Sequence, residues 1–156
     1  MIIVASEDPA TDDAGGLLAA LSRTLASITG DSGEASFDAE DVRGPLARFV
    51  VARTQDGVAV GCGAFRPLQR GVAELKRMYA TPGTQGVGRA ILAHLEVQAT
   101  ALGYEHLWLE TRQVNTRAIA FYERHGYHRI ANFGKYVGNA EAVCLGKPMQ
   151  AAASPS

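Results

Sequence analysis

The stretch Thr84-Gln85-Gly86-Val87-Gly88-Arg89 carries the residues best suited to gripping a charged ligand through the main chain. Two glycines flanking one apolar residue let the backbone approach a ligand closely where a helix begins. The first turn of a helix has free N–H groups and a partial positive charge, and both suit a phosphate. The amides of Gln85 to Arg89 therefore read as a diphosphate cradle. The Arg89 side chain is either a phosphate partner or a solvent-facing helix residue. Further along, Asn115 and Tyr122 stand seven apart, two helical turns, so they share a face with Ala118 and Ile119 between them. Glu74 and Glu110 lie on strand-like runs and are the carboxylates placed to accept a proton. For Glu74 the competing reading is a surface carboxylate or an ion pair with Lys76 or Arg77. His94, His106, His125 and His128 show no metal-ligand spacing with the cysteines, so no metal is expected. Cys62 and Cys144 sit inside apolar runs and read as buried free thiols.

These groups need a scaffold, and the chain punctuates one clearly. Met1 to Ala5 reads as an edge strand. Thr11 or Asp12 can cap a helix with Leu17, Leu18, Leu21, Leu25 and Ile28 along its stripe, ended by Gly30. Asp31 to Gly44 is polar and acidic and reads as a loop with a short helix near Asp38 to Arg43. Arg48 to Arg53 and Val58 to Phe65 form a hairpin across Gln55-Asp56-Gly57. A third strand runs from Val72 to Ala80, with Glu74, Lys76, Met78 and Ala80 on one face by strand alternation. Val87, Ile91, Leu95, Ala99 and Leu102 recur at helical spacing, with Gly103 past the end. Glu105 to Thr111 is a strand, Asn115 caps a helix to about His125, and Tyr127 to Phe133 and Ala140 to Leu145 are closing strands. The order predicts an α/β domain with a mixed sheet over residues 1–150. The tail 151–156 is expected to be disordered.

Composition narrows the function. The chain has 156 residues, 47% apolar and 20% charged, which is ordinary for one globular enzyme domain. A net charge of −1 argues against nucleic acid as the main partner. No leader-like segment opens the sequence and no run is long and apolar enough for a membrane span, so a cytoplasmic protein without a membrane partner is expected. Among glycine-rich phosphate loops, a P-loop needs Gly-Lys followed by Ser or Thr, whereas this loop continues Gly88-Arg89-Ala90. A dinucleotide fingerprint fails too, because Ile91 takes the third glycine position and three strands precede the loop. The pyrophosphate loop of coenzyme A enzymes remains.

Glu74-Leu75-Lys76-Arg77-Met78-Tyr79-Ala80, the glycine turn and Arg89-Ala90-Ile91-Leu92 resemble the central motif of the GNAT superfamily of N-acetyltransferases. Asn115-x-x-Ala118-x-x-Phe121-Tyr122-x-x-x-Gly126-Tyr127 resembles its second motif. The resemblance extends from about Arg48 to Lys147 and is weak before that, where the family's acceptor specificity usually resides. The loop departs from the family pattern. Gly83 stands three before Gly86, where the family carries Gln or Arg, and Pro82 to Gln85 is shorter than usual, leaving Gln85 as the loop's polar side chain.

The resemblance implies a GNAT-like single domain, with a mixed, mostly antiparallel sheet, helices on both faces and a splayed central strand pair. It implies acetyl-CoA as co-substrate, with no metal, and transfer of its acetyl group to a primary amine by direct attack in a ternary complex. Met78, Tyr79 and Ala80 would meet the pantetheine arm, and a backbone N–H there would polarise the acetyl carbonyl. Gln85, Gly86, Val87, Gly88 and Arg89 would hold the diphosphate, and Asn115 and Ala118 would flank the arm. Tyr122 would be the general acid beside the coenzyme sulfur, its pKa near that of a thiol. Glu74 matches a glutamate of the histone-acetylating branch and is the leading base, with Glu110 or a water chain as alternatives. A competing function is a non-catalytic coenzyme A-binding regulatory module of the same fold. The acceptor would be a small-molecule or peptide amine, and a homodimer is compatible with the family. The acidic run from Asp31 to Asp41 suggests a cationic amine, unless it is simply a solvated loop.

Overall fold

The computed structural model describes residues 1–150, so the expected tail at 151–156 lies outside the described residues. Strand β1 (Ile2–Ser6) is followed by helix α1 (Asp12–Thr29). Thr11 caps α1, its hydroxyl accepting from the Ala14 amide at 3.2 Å, and Asp12 and Asp13 complement the dipole in the first turn. Gly30 ends the helix in the left-handed conformation, and two 3-10 turns (Glu34–Ser36 and Ala39–Val42) occupy the acidic segment. Strands β2 (Arg48–Thr54), β3 (Ala59–Gln69) and β4 (Val72–Ala80) follow as an antiparallel meander. Helix α2 (Val87–Ala101) crosses over to β5 (His106–Arg112), and α3 (Thr116–Arg124) leads to β6 (His128–Ile130) and β7 (Ala142–Pro148). The expected strand from Tyr127 to Phe133 shortens to three residues, because the chain turns into a 3-10 segment at Gly134–Tyr136.

Among the described residues, seven strands form one sheet in the order β1-β2-β3-β4-β5-β7-β6. Every neighbouring pair is antiparallel except β4 with β5, which the α2 crossover makes parallel. Alternation along β2 divides the core. Val50 and Ala52 join the cluster beneath α2 and α3, with Phe65, Ile91, Leu95, Leu107, Tyr127 and Leu145. Phe49 and Val51 join the cluster beneath α1, with Ala14, Leu17, Cys62 and Ala64. Helices thus cover both faces. Burying side chains such as Ile91 and Leu95 stabilises the fold by roughly 1.5–3 kcal/mol each. Both cysteines are buried and unpaired.

Strand β4 departs from regular geometry in two places. It pairs with β5 only at Val72↔His106, Ala73↔Leu107 and Glu74↔Trp108, after which the two strands separate. Along its other edge the register with β3 slips between Tyr79↔Cys62 and Lys76↔Ala64, so β4 holds one extra residue. That bulge contains Arg77, at φ 56°, the one non-glycine residue with positive φ among the described residues. Holding an L-residue there costs on the order of 1–2 kcal/mol, offset in part by fixed contacts. The Cys62 thiol donates to the Arg77 carbonyl at 3.4 Å, and the guanidinium holds the Ser22 hydroxyl at 2.8 Å and the Ser32 carbonyl at 3.2 Å.

Candidate active site

The separation of β4 from β5 opens a cleft of about 380 Å³. Its walls come from α1, the acidic segment, both splayed strands, the start of α3 and the turn around Tyr136. Glu74, Lys76, Met78, Glu110, Asn115, Ala118 and Tyr122 all line it. The topology therefore brings the two sequence motifs into one cavity.

The bulge corrects the expected facing of β4. Unbroken alternation would put Met78 with Glu74 and Lys76. The extra residue instead turns Met78 to the α2 side, where its sulfur lies 2.5 Å from the place a Cβ on Gly63 would occupy. Gly63 is needed for that approach. Tyr79 packs its ring on the α1 side, near Cys62 and Ala64, so only its backbone is placed to meet a ligand. Ala80 is exposed at the strand end.

Helix α3 presents the second motif. Asn115 caps it, its side-chain oxygen accepting from the Ala118 amide at 3.3 Å. Ala118 and Tyr122 follow on the cleft face, while Ile119 turns into the core. The Tyr122 ring is held edge-on by Phe121 and Tyr127, at centroid distances of 5.1 and 5.7 Å. Tyr127 is fixed in turn, donating to Glu96 at 2.8 Å, and Lys147 holds the same carboxylate at 3.1 Å. The Tyr122 hydroxyl makes no hydrogen bond among the described residues. Burial pushes its pKa up, so it keeps its proton at neutral pH.

The two carboxylates differ in freedom. Glu74 is buried and accepts from Arg66 at 2.9 Å through one oxygen and from the Tyr136 hydroxyl at 3.1 Å through the other. Lys76 stands 3.7 Å from it. The ion-pair reading of Glu74 is therefore realised, with Arg66 as the main partner and no pair with Arg77. Glu110 has only a loose contact, 3.8 Å to Arg112. Burial raises its pKa above the ordinary carboxylate value, and Arg112, then Lys76, oppose that rise. Arg66, Lys135 and Tyr136 were not picked out from the sequence. They reach the cleft region from β3 and from a turn far along the chain, and no local spacing announces them.

At the glycine segment, Gly86 is the N-cap of α2 at φ 75°, a conformation that favours glycine, and no side chain caps the helix. Its first amides are thus left for a ligand. Gln85 and Arg89 are exposed beside them, and Val87 is buried in the core, leaving only its backbone for binding. Gly88 has a packing role: a Cβ there would lie 3.3 Å from the Phe121 ring. That contact sets α3 against the first turn of α2, so the cleft face of Tyr122 and the open helix end are neighbours.

Residues 18–127 match the Acetyltransferase (GNAT) family. The chain belongs to the GNAT family of acetyltransferases. It is 32% identical over 151 residues to the IAA acetyltransferase of Azospirillum brasilense, covering 95% of this chain and 98% of the relative. A Klebsiella pneumoniae structure assigned as an acyl-CoA N-acyltransferase matches with a TM-score of 0.81 at 28% identity, covering 96% of this chain and 99% of that one. A Salmonella typhimurium acetyltransferase solved with acetyl-CoA has the same fold, with a TM-score of 0.73 at 16% identity and coverage of 100% and 98%.

Membership in the GNAT family implies acetyl-CoA as donor, and the residues present fit that group. The open β4 edge past Glu74 offers unpaired main chain for an amide-bearing arm, as a neighbouring strand would. The uncapped start of α2 suits a diphosphate, and Asn115, Ala118 and Tyr122 line the space between. When bound, acetyl-CoA supplies an acetyl thioester.

The acidic segment is partly paired. Asp31 pairs with Arg112 at 3.4 Å, Asp41 with Arg66 at 3.8 Å, and Glu40 with Arg43. Arginines thus meet three of these carboxylates, while Glu34 and Asp38 make no ion pair among the described residues, so the segment's acidity is reduced and not removed.

Proposed function

We propose that this acetyltransferase acetylates a primary amine by direct attack, with donor and acceptor held together in the β4–β5 cleft. The observation that carries the reading is one cavity lined both by a protonated, unengaged phenol, Tyr122, and by a carboxylate of raised pKa, Glu110. Glu110 takes the proton of the incoming ammonium, directly or through water. The neutral amine nitrogen then bonds to the acetyl carbon as the carbon–sulfur bond breaks, and Tyr122 gives its proton to the departing thiolate. The proton shed by the new amide nitrogen restores the phenol, and Glu110 releases its own to solvent. Glu74, the leading base on sequence grounds, becomes a positioning residue, since Arg66 and Tyr136 occupy both its oxygens. Main-chain amides where β4 leaves β5 polarise the acetyl carbonyl.

The test is release of free thiol from acetyl-CoA with a panel of primary amines, run beside calorimetric binding of coenzyme A alone. Amine-dependent release supports the transfer. Binding of coenzyme A with no release for any amine would replace it with a non-catalytic binding module.

A further inference from the structure

Charge pairing in the cleft points beyond an amine of unspecified kind. Seven charged side chains line it: Asp31, Glu74 and Glu110 against Lys76, Arg77, Arg112 and Lys135. The acids are engaged unequally, Glu110 only by its loose 3.8 Å contact. Arg112 serves both Asp31 and Glu110, and Glu74 is held by Arg66 and Tyr136. The cations are not balanced in return. Arg77 and Lys135 have no carboxylate within 4.0 Å among the described residues; Arg77 lies over the Phe37 ring and Lys135 over the Tyr136 ring.

Lys76 is the most telling of these. Its side chain is only 10% exposed, yet its ammonium makes no hydrogen bond among the described residues, only the 3.7 Å contact to the already satisfied Glu74. The ammonium has three donors, and Lys76 lines the cleft, so they are available to a ligand there. Burial also pulls its pKa below the lysine value, and repulsion from Lys135 acts in the same direction. Two ammonium groups near one another over a cavity, with only the loosely held Glu110 facing both, form a site suited to an anion.

We propose that Lys76 and Lys135, with Arg77 behind them, form a subsite for a carboxylate carried by the acceptor, so that the substrate is an amino acid or another small amine bearing a carboxyl group. Glu110 lies close enough to feel both lysines. Proton acceptor and anion subsite are thus adjacent, as the neighbouring amino and carboxyl groups of an amino acid require. This inference rests on the transfer reading, because the carboxylate belongs to that reaction's acceptor.

Calorimetry on the full chain with coenzyme A present tests it without needing turnover. The probes are a set of N-acetyl amino acids with different side chains and their matched carboxamides. At least one N-acetyl amino acid should bind tenfold or more tightly than its carboxamide. Lys76→Met and, separately, the exposed-site variant Lys135→Ala should each shrink that ratio, while Lys76→Arg should keep most of it. Equal binding of acids and carboxamides, no binding of any acid, or a ratio untouched in both variants would overturn the subsite. An intact preference beside no thiol release with any amine would instead remove the transfer reading and leave the anion subsite standing.

Discussion

In the proposed transfer, Tyr122 and Glu110 concentrate the chemistry at the scale of single residues. A phenol with its proton held by burial serves as a donor only, so Tyr122→Phe should lower kcat by about a hundredfold or more with little change in coenzyme A affinity, as measured by thiol release and calorimetry. As the proposed base, Glu110 would act in the opposite sense, since a base works when deprotonated. The rate should rise with pH through a value above the usual carboxylate range, and Glu110→Gln should remove that rising limb from the profile of kcat/KM. The same shift has a stability consequence. A carboxyl whose pKa is raised in the folded state binds more protons there than when unfolded, so its contribution is present below the unfolded value and lost as pH rises through the folded one. Glu110→Gln should therefore be more stable than the parent at neutral pH, and the gap should close as the solution is acidified, in urea titrations across that window. The sequence marked both groups as candidates but could not rank Glu74 against Glu110. The ranking depends on Arg66 and Tyr136, which reach Glu74 from eight residues upstream and 62 residues downstream.

The decisive element is β4. It is held tightly to β3, released from β5 after Glu74 and displaced by a bulge at Arg77. Period-two reading found the strand and both its ends, yet placed Met78 on the wrong face. Neither glycine nor asparagine stands at the bulge to announce it, and an arginine at φ 56° is stabilised by contacts with Ser22, Ser32, Cys62 and the Phe37 ring, all distant in sequence. The sheet accepts Met78 and Ile91 beside it because Gly63 has no side chain. Gly63→Ala would place a Cβ 2.5 Å from the Met78 sulfur and 2.7 Å from Ile91. The expected cost is about 1–3 kcal/mol in urea unfolding, with a loss of coenzyme A affinity as β4 shifts.

For the molecule as a whole, the cleft is a seam between two halves of one sheet, joined through three residue pairs of β4 and β5 and by the core beneath α2 and α3. A ligand lying along that seam completes an interrupted sheet and binds only the folded chain. Coenzyme A should thus raise the unfolding free energy, by about 2.7 kcal/mol at a hundredfold excess over Kd, read as an upward shift of Tm. Arg89→Ala at the open end of α2 should reduce that shift if its exposed guanidinium meets a phosphate.

Local chemistry in the chain was enough to locate the helices and strands, the caps at Thr11 and Asn115, the open helix start at Gly86 and the family motifs. Each of these depends on neighbours a few residues away: apolar period, a capping oxygen or a glycine at an end. Tertiary structure alone decided which carboxylate is free, where the acidic segment's charge goes and which way Met78 turns. Those outcomes depend on partners dozens of residues distant, such as Asp31 meeting Arg112 and Glu74 meeting Tyr136. Charge balance in a cleft is a sum over its walls, and the walls exist only once the sheet has closed around it.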